Sequence, residues 1–159
     1  MQIVDLLRPD VEILIRVAIA MALGAVVGLE RELADKPAGL RTHMLVAGAA
    51  ALFVPLGVTV LDYFTERFSG PLVSADPIRI IESVITGISF LGAGTIIHYG
   101  PERGVEGLTT AASILFTAGL GTAVTLGRTV LAIGATALAF VTLSVLGLIE
   151  RHVASRKMD

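Results

Sequence analysis

The sequence contains no cysteine, and only 16% of its 159 residues are charged. Without cysteine the chain cannot form disulfide bonds, thiolate metal sites or a cysteine nucleophile. An ordinary soluble domain is about 25% charged, so this shortage of charge argues against a soluble globular protein. The net charge of −2 leaves no basic surface of the kind that binds nucleic acid.

The chain is rich in apolar residues, and they occur in long runs uninterrupted by charge. Hydrophobic residues make up 54% of the chain, and the mean hydropathy is +0.83. A helix needs about 20 residues to cross the hydrocarbon core of a bilayer, which is about 30 Å thick. Four runs near that length contain no Asp, Glu, Lys or Arg: Thr42–Leu61, Ser83–Pro101, Gly107–Gly127 and Thr129–Ile149.

A fifth and weaker candidate, the apolar stretch Val17–Leu29, lies between Arg16 and Glu30. The alternative interpretation is a cleaved signal peptide, because Ala18-Ile19-Ala20 has the small residues of a cleavage site. Acidic residues close to the N-terminus disfavour it, since a signal peptide begins with a positively charged region. We therefore predict that this stretch is a retained first span.

These runs predict an all-α membrane protein with about five transmembrane helices in a compact bundle with short loops. The whole chain, residues 1–159, is expected to form a single transmembrane domain. The predicted spans are approximately residues 11–29, 42–61, 79–98, 107–126 and 129–149. With five spans, seven of the twelve Lys and Arg residues fall on the side of the C-terminus, so the positive-inside rule predicts a cytoplasmic C-terminus.

Hydroxyl groups line one face of each of two predicted spans. In the fourth span they belong to Thr109, Thr110, Ser113 and Thr117, and in the third span Thr86 and Ser89 follow Glu82 at helical spacing. We expect the two polar faces to meet. Either they form hydrogen bonds between helices, worth about 0.6 kcal/mol each, or they line a hydrated pathway.

Ionisable residues at the ends of the spans are the strongest candidates for function, because a carboxylate inside a bilayer costs at least about 2.5 kcal/mol. Glu30 and Arg31 end the first span, and Glu82 begins the third, three residues after Arg79. Glu30 and Glu82 are the candidate metal ligands, because Mg²⁺ prefers oxygen ligands. Arg41-Thr42-His43 at the start of the second span is the third candidate for function. The alternative for all three is that the side chains reach the headgroups at the interface.

Two groups of glycines allow either a structural or a functional interpretation. Gly24 and Gly28 form a small-xxx-small pattern, which favours close helix packing and makes self-association through this face a possibility. The segment Gly92-Ala93-Gly94-Thr95 is also suited to close packing. Alternatively it breaks the third helix and exposes backbone carbonyls to an ion, as discontinuous helices do in transporters.

The sequence shows no arrangement of residues that indicates an enzyme. Ser113, His43 and Glu30 have the residue types of a catalytic triad, but their spacing gives no support for one. The glycine-rich segments lack the Lys-Ser/Thr that completes a phosphate-binding loop. We therefore expect no catalytic activity.

Four motifs, in this order along the chain, resemble the signature of the MgtC/SapB family. They are Gly28-Leu29-Glu30-Arg31-Glu32, the ten residues from Pro37 to Val46, the ten residues from Gly87 to Ile96, and Gly107-Leu108-Thr109-Thr110-Ala111-Ala112-Ser113. The resemblance covers residues 17–149 and corresponds to a short form with the membrane domain only. Ser89 stands where glycine is usual, Phe116 where tryptophan is frequent, and Glu82 where small or amide residues are common.

The resemblance implies a protein of the bacterial inner membrane, linked to growth in low magnesium and to survival inside host cells. Two functions remain open. The chain handles ions, as a magnesium carrier or sensor, or it regulates a partner such as ATP synthase or a transporter by docking its helices. The expected partners are the lipid bilayer, a second copy of the chain or another membrane protein, and no cofactor is expected beyond Mg²⁺.

Overall fold

The computed structural model describes residues 2–67, 76–98 and 105–155, and five helices account for most of them. The helices are α1 (Gln2–Leu33), α2 (Leu40–Arg67), α3 (Ile78–Ala93), α4 (Leu108–Thr125) and α5 (Thr129–Ser155). Two short strands, β1 (Ile97–His98) and β2 (Val105–Glu106), pair antiparallel between α3 and α4. The predicted all-α bundle is confirmed.

Three of these helices are long and apolar enough to cross a membrane: Pro9–Leu33 in α1, the whole of α2 and the whole of α4. A shorter apolar helix, Thr129–Val145, lies in α5. Large apolar side chains point outward over much of the bundle, as expected for a surface that lipid covers. The chain is therefore a membrane protein.

Helix α3 is shorter than the sequence predicted, because it ends at Ala93 instead of continuing to residue 98. The backbone turns over Gly94 and Thr95 and then enters strand β1. After strand β2, Gly107 has a φ of 90° and passes against the Thr95 carbonyl, where a Cβ would collide with the oxygen. Only glycine fits this left-handed, crowded position at the start of α4.

Helix α2 is the centre of the bundle and packs against α1, α4 and α3, whereas α5 packs against α1 and α4. Small residues dominate the buried surface, as in many membrane bundles where helices associate by close approach. One buried cluster contains Ala20, Ala47, Ala51, Val124 and Ala132, and a second contains Ala38, Val46, Ala50, Ile114 and Ala118.

Glycines on α1 and α4 let these helices approach the backbone of α2 from two sides. A Cβ on Gly24 would lie 2.5 Å from the His43 carbonyl oxygen, and one on Gly28 would lie 2.8 Å from the Leu40 Cα. The Gly24 and Gly28 face is therefore already occupied by α2 of the same chain. Self-association through this face, which the sequence suggested, does not agree with the structure, because no room remains for a second copy there.

A proline in α2 creates a polar contact between α2 and α4. Pro55 has no N–H, so it cannot bond the Ala51 carbonyl one turn earlier. The Thr125 hydroxyl of α4 donates a hydrogen bond to that carbonyl instead, at 2.8 Å. Arg16 of α1, which pairs with Glu12, donates to the Thr125 carbonyl at the end of α4. Side chains thus bond the carbonyls of Ala51 and Thr125 at this end of the bundle.

Candidate functional site

The end of α1, the start of α2 and the start of α4 meet at one end of the bundle. The connection after α1 is tight: the Ala34 and Lys36 amides donate to the Glu30 and Arg31 carbonyls, and Asp35 has a positive φ of 53°. The Glu32 carboxylate caps the N-terminus of α2, where one of its oxygens accepts a hydrogen bond from the Leu40 amide at 2.7 Å. A carboxylate is stabilising at the N-terminus of a helix, where amides lack partners.

His43 lies at the centre of this end and is completely buried, with an exposed fraction of 0%. Its Nδ1 lies 2.9 Å from the Gly39 carbonyl oxygen, and its Nε2 lies 2.9 Å from the Ser113 hydroxyl on α4. The Gly39 carbonyl can only accept, so Nδ1 carries a proton. The His43 side chain does not extend outward to the headgroups, because its ring joins α2 to α4 inside the bundle.

Two proton arrangements fit the bond between His43 and Ser113. The Ser113 hydroxyl lies 2.8 Å from the Thr110 carbonyl, to which it donates. In that arrangement Nε2 donates to Ser113, and the ring is an imidazolium. In the other, the ring is neutral and the hydroxyl turns to donate to Nε2. The site can therefore accommodate one additional proton by rotation of a single hydroxyl group.

Arg31 supplies a buried positive charge beside this histidine. Its exposed fraction is 4%, and its Nε pairs with a carboxylate oxygen of the preceding residue, Glu30. Both charged groups act electrostatically on the His43 ring. We name Glu30, Arg31, His43, Thr110 and Ser113 the signature-end cluster. Arg31 neutralises Glu30, and the Ser113 hydroxyl bonds to groups within the cluster. The polar groups of the cluster thus bond to one another, and we describe the cluster as closed.

The hydroxyl face of α4 belongs to this cluster and does not meet the polar face of α3. Thr110, Ser113 and Thr117 are buried, and the Thr117 hydroxyl donates to the Ser113 carbonyl at 2.8 Å. Thr86 and Ser89 are exposed on the outer side of α3. The prediction that the two faces meet, through hydrogen bonds or along a hydrated pathway, was wrong, because α4 turns its buried hydroxyls towards α2 while α3 exposes its own.

Glu82 is exposed and lies far from the signature-end cluster. Its neighbour Ile80 packs against Gly57 of α2, fourteen residues along the helix from His43. At 1.5 Å per residue this separation is about 20 Å, so Glu30 and Glu82 cannot hold the same ion. Within the residues that the structure describes, no three His, Asp or Glu side chains come together as a metal site would require.

In the glycine segment of α3, the carbonyls of Gly92 and Ala93 accept hydrogen bonds from within the segment and its immediate continuation. The Gly92 carbonyl accepts hydrogen bonds from the Thr95 amide at 2.9 Å and from the Thr95 hydroxyl at 2.7 Å. Gly92 is buried, and a Cβ there would lie 3.4 Å from the Ala111 carbonyl of α4. Gly94 caps the helix and its amide donates to the Phe90 carbonyl. The segment forms a close helix contact and a helix end, and the Gly92 carbonyl is not free for an ion.

The remaining candidates from the sequence lie beside the cluster and not in it. Arg41 and Thr109 are exposed, and Thr42 is half-buried. Nothing in the sequence indicated that Glu32 caps α2. His43 and Ser113 were considered together only as residue types of a triad that their spacing did not support, and the structure brings the two side chains into contact. A signal for the buried histidine was present, because His43 precedes the small residues Ala47 and Ala50 at helical spacing on one face of α2.

The four motifs noted in the sequence converge on this end: they supply the end of α1, the start of α2, the second half of α3 and the start of α4. The sequence profile of the MgtC family matches residues 17–152. The chain belongs to the MgtC family. The conclusion rests on a match that includes every residue of the signature-end cluster.

Three relatives illustrate the similarity. An uncharacterised protein of Haemophilus influenzae is 36% identical over 93% of this chain and 61% of its own length. The putative magnesium transporter YhiD of Escherichia coli K12 is 40% identical over 69% of this chain and 49% of its own. Protein MgtC of Salmonella typhimurium is 41% identical over 74% of this chain and 45% of its own.

The chain thus spans between 45% and 61% of the length of these three relatives. Comparison with solved structures gives no significant match.

Proposed function

We propose that this MgtC-family protein serves magnesium homeostasis in the inner membrane of a bacterium. The support comes from the relatives, one of which bears the name putative magnesium transporter. Magnesium is in this proposal the ion whose supply the protein serves, not a cofactor that the chain holds.

The mode of action that the geometry supports best is regulation of a membrane partner through helix docking. The observation that carries it is the closed signature-end cluster, in which Arg31 binds the Glu30 carboxylate and backbone carbonyls take the buried hydroxyls. Mg²⁺ is small, requires close to octahedral oxygen coordination and gives up its water reluctantly. A carboxylate already paired with arginine is a poor ligand for such an ion.

Transport of magnesium by the chain itself is the second candidate, and the printed name of the YhiD relative favours it. Glu30 is the one carboxylate of the signature-end cluster, so a transported ion would have to displace Arg31 from it. The two candidate functions therefore differ in what happens to the ion pair between Arg31 and Glu30. Transport requires the pair to open, whereas regulation through docking leaves it intact.

The bond between His43 and Ser113 does not make the chain an enzyme in this proposal. A serine nucleophile needs a histidine that takes its proton and a substrate that reaches its hydroxyl. Ser113 is buried at an exposed fraction of 5%, so a substrate does not reach its hydroxyl in this arrangement of the helices. We interpret the pair as a structural link between α2 and α4.

The first experiment measures function and ion flux in parallel. We expect the chain to restore growth in low magnesium to a bacterium that lacks its own MgtC-family protein. We expect Ser113→Ala, which breaks the link to His43, to reduce this rescue, whereas Thr142→Ala on the exposed side of α5 should not. In proteoliposomes with a magnesium-sensitive dye, the purified protein should give no flux above protein-free vesicles.

Magnesium flux that is lost in Glu30→Gln would instead establish the transport candidate. Failure of the wild-type chain to support growth, in cells where it is present in the membrane, would count against both.

We also propose that the signature-end cluster lies on the cytoplasmic side of the membrane, with the C-terminus. The support is the excess of Lys and Arg on this side. Because the chain has no cysteine, single substitutions report accessibility directly. A membrane-impermeant thiol reagent added to intact spheroplasts should label Asp62→Cys and spare Lys36→Cys, two exposed positions at opposite ends of the bundle. The reverse labelling pattern would invert the orientation.

A further inference from the structure

The outer face of α3 carries a line of polar side chains with no partner among the residues that the structure describes. Arg79, Glu82, Thr86 and Ser89 recur at helical spacing, and all four are exposed. We name these four residues the polar stripe. Large apolar side chains flank it, among them Phe90, which is 85% exposed. Within the described parts of the chain, Arg79 and Glu82 form no ion pair with each other or with another residue.

The polar stripe lies below the membrane surface, so its exposed charges are unfavourable for a single chain in lipid. Helix α3 runs antiparallel to α2, with Ile80 against Gly57. Asp62, the first charged residue after the apolar part of α2, lies five residues beyond Gly57, and Glu82 lies two residues deeper than Ile80. At 1.5 Å per residue, Glu82 lies about 10 Å below the level of Asp62.

A carboxylate at that depth needs a cation, water or a hydrogen-bonding partner. An ion alone is a poor solution, because the polar stripe offers only one carboxylate and the described residues include no group of three metal-ligating side chains. A lipid acyl chain offers no hydrogen bond at all. Because Arg79 and Glu82 do not pair with each other in the structure, a partner that brings a positive charge to Glu82 and a negative charge to Arg79 would satisfy both.

A second copy of the same chain has both charges in the required positions. Two copies in one membrane share their orientation, so a two-fold axis along the bilayer normal places their α3 helices side by side and parallel. Arg79 of one copy then lies one helical turn from Glu82 of the other, an offset of about 4.5 Å that an arginine side chain spans. The same pairing occurs twice, and Thr86 and Ser89 face their own counterparts.

We propose that the polar stripe of α3 is the contact through which two copies of this chain associate, with Arg79 of each copy paired to Glu82 of the other. The association removes two unpaired charges per chain from lipid and supplies partners for hydroxyls. It leaves the signature-end cluster unchanged, since that cluster lies between α1, α2 and α4.

Disulfide crosslinking in membranes tests the contact directly, since the chain has no cysteine of its own. Two differently tagged copies carrying Thr86→Cys are expressed together and oxidised with copper phenanthroline. We expect a crosslinked species that contains both tags. The matched control is Leu138→Cys on α5, which is 71% exposed but apolar in its surroundings, and it should crosslink at least tenfold less.

Charge exchange then tests the pairing. In the Thr86→Cys background, Glu82→Arg places four positive charges at the contact and should reduce crosslinking strongly. The exchanged variant Arg79→Glu with Glu82→Arg keeps the charge composition and should restore it. Crosslinking of Thr86→Cys no greater than that of Leu138→Cys, a product that contains a different protein, or failure of the exchange to restore crosslinking in folded protein would each overturn the proposal.

Discussion

Replacing Gly121 with alanine should prevent the bundle from closing around α2. Gly121 lies where α4 crosses the backbone of α2, and an added Cβ would collide with the Ala47 carbonyl oxygen and lie 3.1 Å from the Ala50 Cβ. The carbonyl belongs to a helix held on its other side by Gly24 of α1, so it has little freedom to move. We expect a loss of about 3 kcal/mol, the upper end for overpacking of a buried contact.

Gly119 provides a matched control in the same helix, because nothing lies within 4 Å of a Cβ added there. Alanine is the better helix former by up to about 1 kcal/mol, so Gly119→Ala should be neutral or slightly stabilising. The measurement is the midpoint of thermal unfolding in detergent, followed by size-exclusion chromatography with a fluorescent fusion. Equal behaviour of the two variants would show that α4 does not approach α2 as closely as the structure has it.

The number and approximate limits of the helices could be predicted from the sequence because a bilayer imposes a simple rule on charge. Runs such as Thr42–Leu61 and Thr129–Ile149 are uncharged because lipid excludes charge over the length of a span. The predicted end of the third helix was wrong, because the absence of charge does not show where a helix ends. At the end of α3 no charge interrupts the run, but the helix stops at Ala93 and the chain enters strand β1.

The composition of the site could be predicted more completely than its contacts. The sequence contained the polar face of Thr110 and Ser113, and the structure buries both. Periodicity gives the face of a helix on which a residue lies, but it does not give the helix that this face meets. Glu82 was therefore placed opposite Ser113, whereas α4 turns that face to His43.

The buried arginine could not have been predicted from its position. Arg31 and Glu32 are neighbours at the end of an apolar run, and both resemble residues that reach the headgroups. They separate because the turn after α1 brings α2 back against one side of α1 only. Arg31 points into that junction and is buried, while Glu32 stays exposed and caps α2.

Removing the Arg31 side chain should be the most damaging change in the signature-end cluster. Glu30 is only 12% exposed and pairs with Arg31 at the last turn of α1. Breaking a buried ion pair by removing one partner typically costs about 3–5 kcal/mol, because the other charge is left without compensation. Arg31→Met should therefore lower the unfolding midpoint of the purified protein sharply.

Loss of Arg31 and loss of Glu30 should not have equal effects on stability, because both residues lie at the C-terminus of α1. The C-terminus of a helix carries a partial negative charge, which stabilises a cation there and destabilises a carboxylate. Glu30→Gln leaves Arg31 in a favourable field with an amide oxygen as acceptor, so this variant should be less destabilised than Arg31→Met. The double variant Glu30→Gln with Arg31→Met removes the stranded carboxylate and should recover part of the stability that Arg31→Met loses.

Thermal unfolding of the three variants distinguishes the effect of an unpaired Glu30 charge from the loss of packing by the arginine stem. The growth assay in low magnesium shows whether a variant that still folds has lost its function. If the double variant is no more stable than Arg31→Met, the loss comes from the arginine stem and not from an unpaired Glu30. If Glu30→Gln folds as well as the wild type and still supports growth, the carboxylate serves only to neutralise Arg31. A well-folded Glu30→Gln variant that fails to support growth would give Glu30 a direct role and favour ion handling over docking.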